Sequence, residues 1–156
     1  MTSTVPSSGA GRSFWGPGDL YTFLVTGAET GGTCFTLSAL VAPGGGPPPH
    51  IHHREEEFFD LLEGQLHVAV GDHSRSAGPG DFAHIPRGAE HRFSNPGKGF
   101  ARMLATFTPA GMEGWFTEAL DPAPDLVTPP PPATPNMIAK MLALGPKYGV
   151  EWALPK

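Results

Sequence analysis

The sequence is poor in three features that identify many protein classes: cysteine, charged residues and long apolar runs. It contains one cysteine, Cys34, which excludes an internal disulfide. Charged residues make up only 16%, the net charge is -5, and no cluster of lysine or arginine offers contacts to phosphates. No apolar segment approaches the length of a membrane span. We therefore expect a small-molecule partner rather than nucleic acid or a membrane.

The N-terminal residues also lack the pattern of a secretory signal, in which a basic segment precedes an apolar one. Together with the single cysteine, this leads us to expect a cytoplasmic protein. Residues 1–13 are rich in serine, threonine, glycine and proline. Because they have little apolar surface to bury, we expect them to form a flexible tail.

Glycine and proline are abundant, with 21 and 19 residues respectively. This composition favours short strands joined by tight turns, and therefore an all-β fold. Apolar residues alternate in segments such as residues 35–41, as expected for strands with one buried face. Such segments predict roughly seven to nine short strands in a small antiparallel barrel. The step at Glu63-Gly64-Gln65 is predicted to be the tight turn of a hairpin.

The C-terminal part has a different pattern. Apolar residues at helical spacing between Met112 and Ala119 predict a short amphipathic helix. A proline-rich segment, residues 121–135, predicts an extended linker. Residues 136–156 are predicted to form a second helical segment capped by Asn136. The expected organisation is therefore a tail, a barrel with a flanking helix over residues 14–120, a linker and a helical tail.

Metal-binding side chains are concentrated in one segment. His50 and His52 are two residues apart, so on a strand both side chains leave the same face. Glu57 follows closely, and His91 lies in a separate predicted strand. Three imidazoles and one carboxylate suit a divalent transition metal, either Fe, Mn, Co, Ni, Cu or Zn. We interpret the other four histidines as surface residues or as neighbours of the site, and we expect Glu55 and Glu56 to form a solvated charge run in the connecting loop.

Two motifs in the chain resemble those of the cupin superfamily. The first cupin motif is matched at every spacing by Gly44, His50, His52, Glu57 and Gly64. The second is matched at every spacing by Gly80, Pro86, Gly88, His91 and Asn95. The resemblance implies a cupin jelly-roll β-barrel, or double-stranded β-helix, to which the helical spacing of the C-terminal part adds one or two short helices. It also implies a metal ion inside the barrel, held by His50, His52, Glu57 and His91.

Within the cupins, the chain looks most like small single-domain proteins related to quercetin dioxygenase. This looser resemblance rests on the general layout, on the aromatic segment that begins at Phe14 and on residues 108–116 after the barrel. In that group the metal binds the enol or phenol oxygen of a flavonol, and dioxygen cleaves the ring. This resemblance predicts that Glu57 is both a metal ligand and the catalytic base.

Strand alternation predicts the lining of the substrate pocket. If Glu57 and His91 face inward, other apolar residues of their strands and of the last strand share the interior. The predicted lining consists of Phe59, Leu61, Phe93, Met103 and Phe107. An apolar, partly aromatic pocket suits a flat or hydrophobic substrate and is poorly suited to a sugar phosphate.

Three functions are therefore considered. The first is a metal-dependent dioxygenase that acts on a small enolic or phenolic compound. The second is a redox-neutral cyclase, isomerase or lyase that uses the metal as a Lewis acid. The third is a non-catalytic module that binds a small molecule. Phe58 and Leu62, on the strand face opposite Glu57, additionally predict a homodimer.

Overall fold

The computed structural model describes residues 12–155, and strands dominate this part of the chain. The strands are β1 (Ser13–Trp15), β2 (Leu20–Val25), β3 (Phe35–Val41), β4 (His50–His52), β5 (Glu56–Glu63), β6 (Leu66–Val70), β7 (His73–Ala77), β8 (Phe82–Ile85), β9 (Glu90–Ser94), β10 (Ala101–Thr108), β11 (Asp121–Pro122) and β12 (Val150–Trp152). The helices are α1 (Gly27–Thr30), α2 (Glu113–Ala119) and α3 (Pro135–Leu144), followed by a 3-10 turn at Pro146–Tyr148. Residues 1–11 of the predicted tail lie outside the described residues, and Ser13 already belongs to β1.

The strands form two antiparallel sheets. The larger has the order β11-β1-β2-β3-β10-β5-β8, and the smaller has the order β12-β4-β9-β6-β7. The sheets face each other, since the rings of Phe59 in β5 and Phe93 in β9 meet edge to face with centroids 5.4 Å apart. The expected all-β class and the jelly roll are confirmed.

The core follows the alternation that the sequence predicts. In β3, Phe35, Leu37, Ala39 and Val41 are all buried, while the residues between them are only partly covered. In β10 every second residue is buried in the same way. The ring of Phe116 in α2 lies 5.9 Å from that of Phe35, so this predicted helix packs its apolar face onto the core.

The predicted hairpin at Gly64 is wrong, although the tight turn is present. Gly64 has a φ of 76°, and a Cβ atom there would lie 2.9 Å from the Phe100 carbonyl oxygen, so the turn requires glycine. The two strands that it joins do not pair with each other. β5 pairs with β10 and β8, whereas β6 pairs with β7 and β9. The turn therefore carries the chain from one sheet to the other.

The C-terminal segment returns to the barrel. Helix α3 begins at Pro135 and is capped by Thr134, whose hydroxyl accepts the amide of Met137 at 3.2 Å, so the predicted Asn136 cap is wrong. Proline is favoured at the first helical position, and this places Asn136 inside the first turn. The chain then adds β12 to the edge of the smaller sheet, beside β4. Among the helices of residues 12–155, none has the length and apolar character needed to cross a membrane.

A buried carboxylate ties two loops together near the end of β3. Asp19, which is only 3% exposed, accepts the amide of Ala42 at 2.9 Å and the hydroxyl of Tyr21 at 3.3 Å. Burial raises the pKa of Asp19 to about 6, because desolvation outweighs these two hydrogen bonds, which lower it. Asp19 is therefore harder to ionise in the folded protein than in the unfolded chain.

This raised pKa predicts a pH-dependent loss of stability. The folded state binds the proton of Asp19 more tightly than the unfolded chain does. The contribution of protonated Asp19 to the free energy of unfolding is therefore complete below about pH 4 and is lost as the pH rises through 6. We expect the wild type to lose about 2–3 kcal/mol of unfolding free energy relative to Asp19→Asn between pH 4 and pH 7.5. Urea unfolding at a series of pH values measures this difference. Exposed Asp72→Asn is the control, and parallel curves for the wild type and Asp19→Asn would contradict the prediction.

Candidate metal centre and its cavity

Four buried side chains from three strands meet inside the barrel: His50 and His52 of β4, Glu57 of β5 and His91 of β9. His50 and His52 leave the same face of β4, as their spacing predicts. The register of β4 with β9 places His50 directly opposite His91, so the three imidazoles gather on one face of the smaller sheet. Glu57 reaches them from the larger sheet.

The four side chains form one compact cluster, called the quartet below. One potential ligand atom from each residue lies within 4.8 Å of those of the others. An oxygen of Glu57 is 2.8 Å from Nε2 of His91 and 3.4 Å from Nε2 of His52. The sequence predicted these four residues as metal ligands, and the structure brings the same four together.

Backbone carbonyls orient two of the imidazoles. Nδ1 of His50 lies 2.9 Å from the carbonyl oxygen of Pro48, and Nδ1 of His91 lies 3.0 Å from that of Ala89. Because a carbonyl only accepts, Nδ1 must donate in both cases. Each Nε2 is then left to face the centre of the quartet.

Burial controls the charge of the quartet. Desolvation, followed by the effect of His91, lowers the pKa of His50 to about 3, and desolvation followed by the effects of neighbouring histidines lowers that of His52 to about 2. Both are therefore neutral at pH 7, the form in which imidazole binds metals. Burial also lowers the pKa of His91, but the hydrogen bond and charge of Glu57 and the Ala89 carbonyl together outweigh it, so that this pKa is raised.

The donor chemistry fits a divalent transition metal. Two imidazoles are held neutral, and a third shares a hydrogen bond with a carboxylate whose charge a cation would also satisfy. Three nitrogen donors and one oxygen donor are acceptable to several ions of the first transition row, and the same set leaves the identity of the ion open.

Glu55 corrects one expectation. It was predicted to lie in a solvated loop, but it is only 3% exposed and lies beside His52. Desolvation raises the pKa of Glu55 to about 7. Its neighbour Glu56 is exposed in part and pairs with His84 at 2.8 Å. Three successive glutamates therefore have three different environments, which their identical chemistry could not indicate.

A cavity of about 350 Å³ opens beside the quartet. His50, His52 and Glu57 contribute to its wall, which is otherwise largely apolar. Of the predicted lining residues, Phe93, Met103 and Phe107 line this cavity. Phe59 and Leu61 line a separate space of about 20 Å³, because they lie further along β5 from Glu57. Met103 contacts both spaces.

The C-terminal segment supplies a wall that sequence reasoning did not predict. The lining residues from this segment are Ile138, Met141, Leu142, Val150, Trp152 and Leu154. Two indole N–H groups hold the segment in place, since Trp115 donates to the carbonyl of Met141 at 3.2 Å and Trp152 donates to that of Leu142 at 3.0 Å. Trp152 also pairs with His50 across β12 and β4, and their rings lie 5.5 Å apart.

The cavity wall also contains a second polar group. Asp19 and Tyr21 line it together, linked by the hydrogen bond from the Tyr21 hydroxyl. Burial, followed by the charge of Asp19, raises the pKa of Tyr21 well above its usual value, so the phenol stays protonated. The alternation of β2 was a signal for Tyr21 as an inward residue, but nothing in the sequence linked it to the quartet.

Comparisons with known proteins agree with this geometry. Residues 38–107 match the cupin domain family. A comparison with curated proteins finds no match. Among solved structures, an oxalate oxidase bound to the substrate analogue glycolate is 32% identical, with a TM-score of 0.52 over 60% of this chain and 52% of that chain. The chain thus spans about half the length of this relative.

Two further structures support the fold. An RmlC-like cupin from Shewanella frigidimarina is 22% identical, with a TM-score of 0.58 over 69% of this chain and 93% of that chain. A sugar phosphate isomerase of the cupin superfamily from Silicibacter pomeroyi is 26% identical, with a TM-score of 0.51 over 58% of this chain and 59% of that chain. The jelly roll, the buried quartet and the family match together identify residues 38–107 as a domain of the cupin superfamily.

Proposed function

We propose that this protein is a metal-dependent enzyme that acts as a dioxygenase on a small enolic or phenolic compound, as quercetin dioxygenases do. The observation that carries the proposal is the position of the quartet. His50, His52 and Glu57 form part of the wall of a cavity of about 350 Å³, so a molecule in that cavity would contact them directly. A metal that served only to stabilise the fold would not need such access.

The lining favours a largely apolar substrate. Among the residues that line the cavity, there is no lysine or arginine. A dianion such as oxalate or a sugar phosphate is normally bound by such cations, so the substrates in the names of two similar structures suit this wall poorly. The volume and the aromatic side chains Phe107, Trp115 and Phe116 suit a flat organic ring.

Each part of the wall has a distinct role in the proposal. When bound, the metal supplies a Lewis acid and, for a redox-active ion, access to dioxygen chemistry. The Glu57 carboxylate faces the cavity and accepts the proton of a substrate hydroxyl. The Tyr21 hydroxyl provides a second polar contact for an oxygen of the substrate. The C-terminal segment excludes water from the apolar side.

Two alternative functions use the same cavity. A redox-neutral cyclase, isomerase or lyase would need the metal only to polarise its substrate. A non-catalytic module would bind the molecule without changing it. Similarity to both an oxidase and an isomerase keeps the first alternative in competition.

We predict that the quartet binds about one transition-metal ion per chain. His91→Ala should abolish tight binding, because it removes one donor and leaves Glu57 without its 2.8 Å partner. Elemental analysis and competition with a chelator measure this. The control is His73→Ala, which changes an exposed histidine on β7. Equal metal content in the His91 variant and the wild type would exclude the quartet as the binding site.

A second prediction concerns the reaction. Screening flavonols and simpler enols with an oxygen electrode should identify a substrate whose turnover consumes dioxygen. At saturating metal, Glu57→Gln should lower turnover by about 10²–10⁴-fold, because glutamine cannot accept the proton. Glu56→Gln, a change at the adjacent residue that pairs with His84, should have no effect. Turnover without oxygen uptake would favour the redox-neutral alternative, and full turnover by Glu57→Gln would exclude its role as the base.

We also propose that the protein forms a homodimer through the outer face of β5 and β8. Leu62 is 41% exposed and Phe82 is 58% exposed, and the ring of Phe82 lies 5.9 Å from that of Phe58. Several large apolar side chains grouped on one sheet face favour the association of two copies of the protein. Sedimentation at micromolar concentration should therefore give a dimer, and Leu62→Glu should shift it to a monomer. A monomeric wild type would contradict the proposal.

A further inference from the structure

Two buried polar atoms beside the quartet face each other without a hydrogen bond. These atoms are Nδ1 of His52 and Oε2 of Glu55, which lie 3.7 Å apart. Both side chains are at most 5% exposed. A buried polar atom without a partner is unfavourable, so their placement against each other requires an explanation.

The other two histidines of the quartet indicate what this placement does. Nδ1 of His50 and of His91 each reaches a backbone carbonyl, at 2.9 and 3.0 Å respectively. His52 has no such carbonyl, and in the described part of the chain the Glu55 carboxylate is the acceptor placed beside its Nδ1. The acceptor beside Nδ1 of His52 is therefore a side chain, whereas the acceptors beside Nδ1 of His50 and His91 are backbone carbonyls.

The opposite side of the His52 ring faces the quartet. Its Nε2 lies 3.4 Å from Glu57, so the imidazole is positioned between two carboxylates. Glu55 immediately precedes β5, and Glu57 is the second residue of that strand. Residues two apart on an extended backbone leave the same face, so both carboxylates reach the His52 ring, Glu55 at Nδ1 and Glu57 at Nε2.

Apart from its own backbone amide, the Glu55 carboxylate has no other hydrogen-bond partner among residues 12–155. Arg54 and Arg87 affect it only through their charges, since no ion pair within 4 Å joins either of them to Glu55, and Arg54 donates instead to the carbonyl of Lys147. A water that makes two hydrogen bonds of about 2.8 Å at a tetrahedral angle holds the two atoms that it joins about 4.6 Å apart, and the separation here is only 3.7 Å. A small rotation of the carboxylate would close the gap to a direct hydrogen bond.

We propose that Glu55 is a positioning residue for the metal centre, which accepts a hydrogen bond from Nδ1–H of His52. The bond selects the tautomer that presents Nε2 to the quartet, and the ionised form of the carboxylate makes that nitrogen a stronger donor to a cation. This role rests on the proposed metal function, although Glu55 selects the His52 tautomer whether or not a metal is bound. Glu55 does not touch the substrate, since it is absent from the lining of the cavity.

Three variants separate the hydrogen bond from the charge. Glu55→Gln keeps an acceptor oxygen but removes the charge, and Glu55→Leu removes both. Glu56→Gln is the matched control, because it changes the next residue, which points to solvent and pairs with His84. Circular dichroism establishes that each variant is folded before the comparison.

The first measurement is the affinity for Co²⁺ and Zn²⁺, determined by competition with a chelator. We expect Glu55→Leu to weaken binding by about 10–100-fold, Glu55→Gln to weaken it less, and Glu56→Gln to bind as the wild type does. Wild-type affinity in both Glu55 variants would overturn the proposal. If the wild type itself bound no metal, the proposed function would fail instead.

The second measurement needs no metal. Nitrogen NMR of the metal-free protein should show His52 with its proton on Nδ1 in the wild type and in Glu56→Gln, and a shift toward the other tautomer in Glu55→Leu. A purely structural role for Glu55 would leave this signal unchanged. An unchanged tautomer in folded Glu55→Leu would therefore overturn the proposal even if metal affinity fell.

Discussion

The burial of three imidazoles and a carboxylate in one cluster is the constraint on which the rest of this structure depends. Such groups are costly to remove from water unless each finds a partner. Here the two sheets provide partners from opposite sides, with His50, His52 and His91 on one sheet and Glu57 on the other. The cluster therefore exists only while the sheets stay packed, and the core between them, which includes the contact of Phe59 with Phe93, keeps them packed.

The quartet has polar acceptors on one side, called the rigid side because they orient the rings, and an apolar cavity on the other. On the rigid side, carbonyls of Pro48 and Ala89 and the Glu55 carboxylate face the Nδ1 atoms, so the orientation of each ring is determined outside the cluster. On the apolar side, the cavity extends to the C-terminal segment, where Trp152 lies against His50. The segment that follows the proline-rich linker is therefore part of the site rather than an appendage.

The sequence predicted the parts of the site that depend on local geometry. The spacing of His50 and His52 places both on one face of a strand, and the residue alternation of β3 and β10 identifies the core. Gly64 was identified as a turn because few other residues tolerate its positive φ. The predicted pairing of β5 with β6 across that turn was wrong. A hairpin within one sheet and a turn that carries the chain to the other sheet need the same local backbone, so the sequence could not distinguish them.

What the sequence by itself determined is the all-β class and the apolar faces of the strands, which follow from residue type and from a period of two, and the four residues of the quartet, which the match to the two cupin motifs identified. Only the tertiary structure decided the environments of Glu55, Asp19 and Tyr21, and the addition of β12 beside β4. The physical reason is that burial and strand neighbours depend on which distant segments meet, and no local pattern in a chain specifies its distant neighbours.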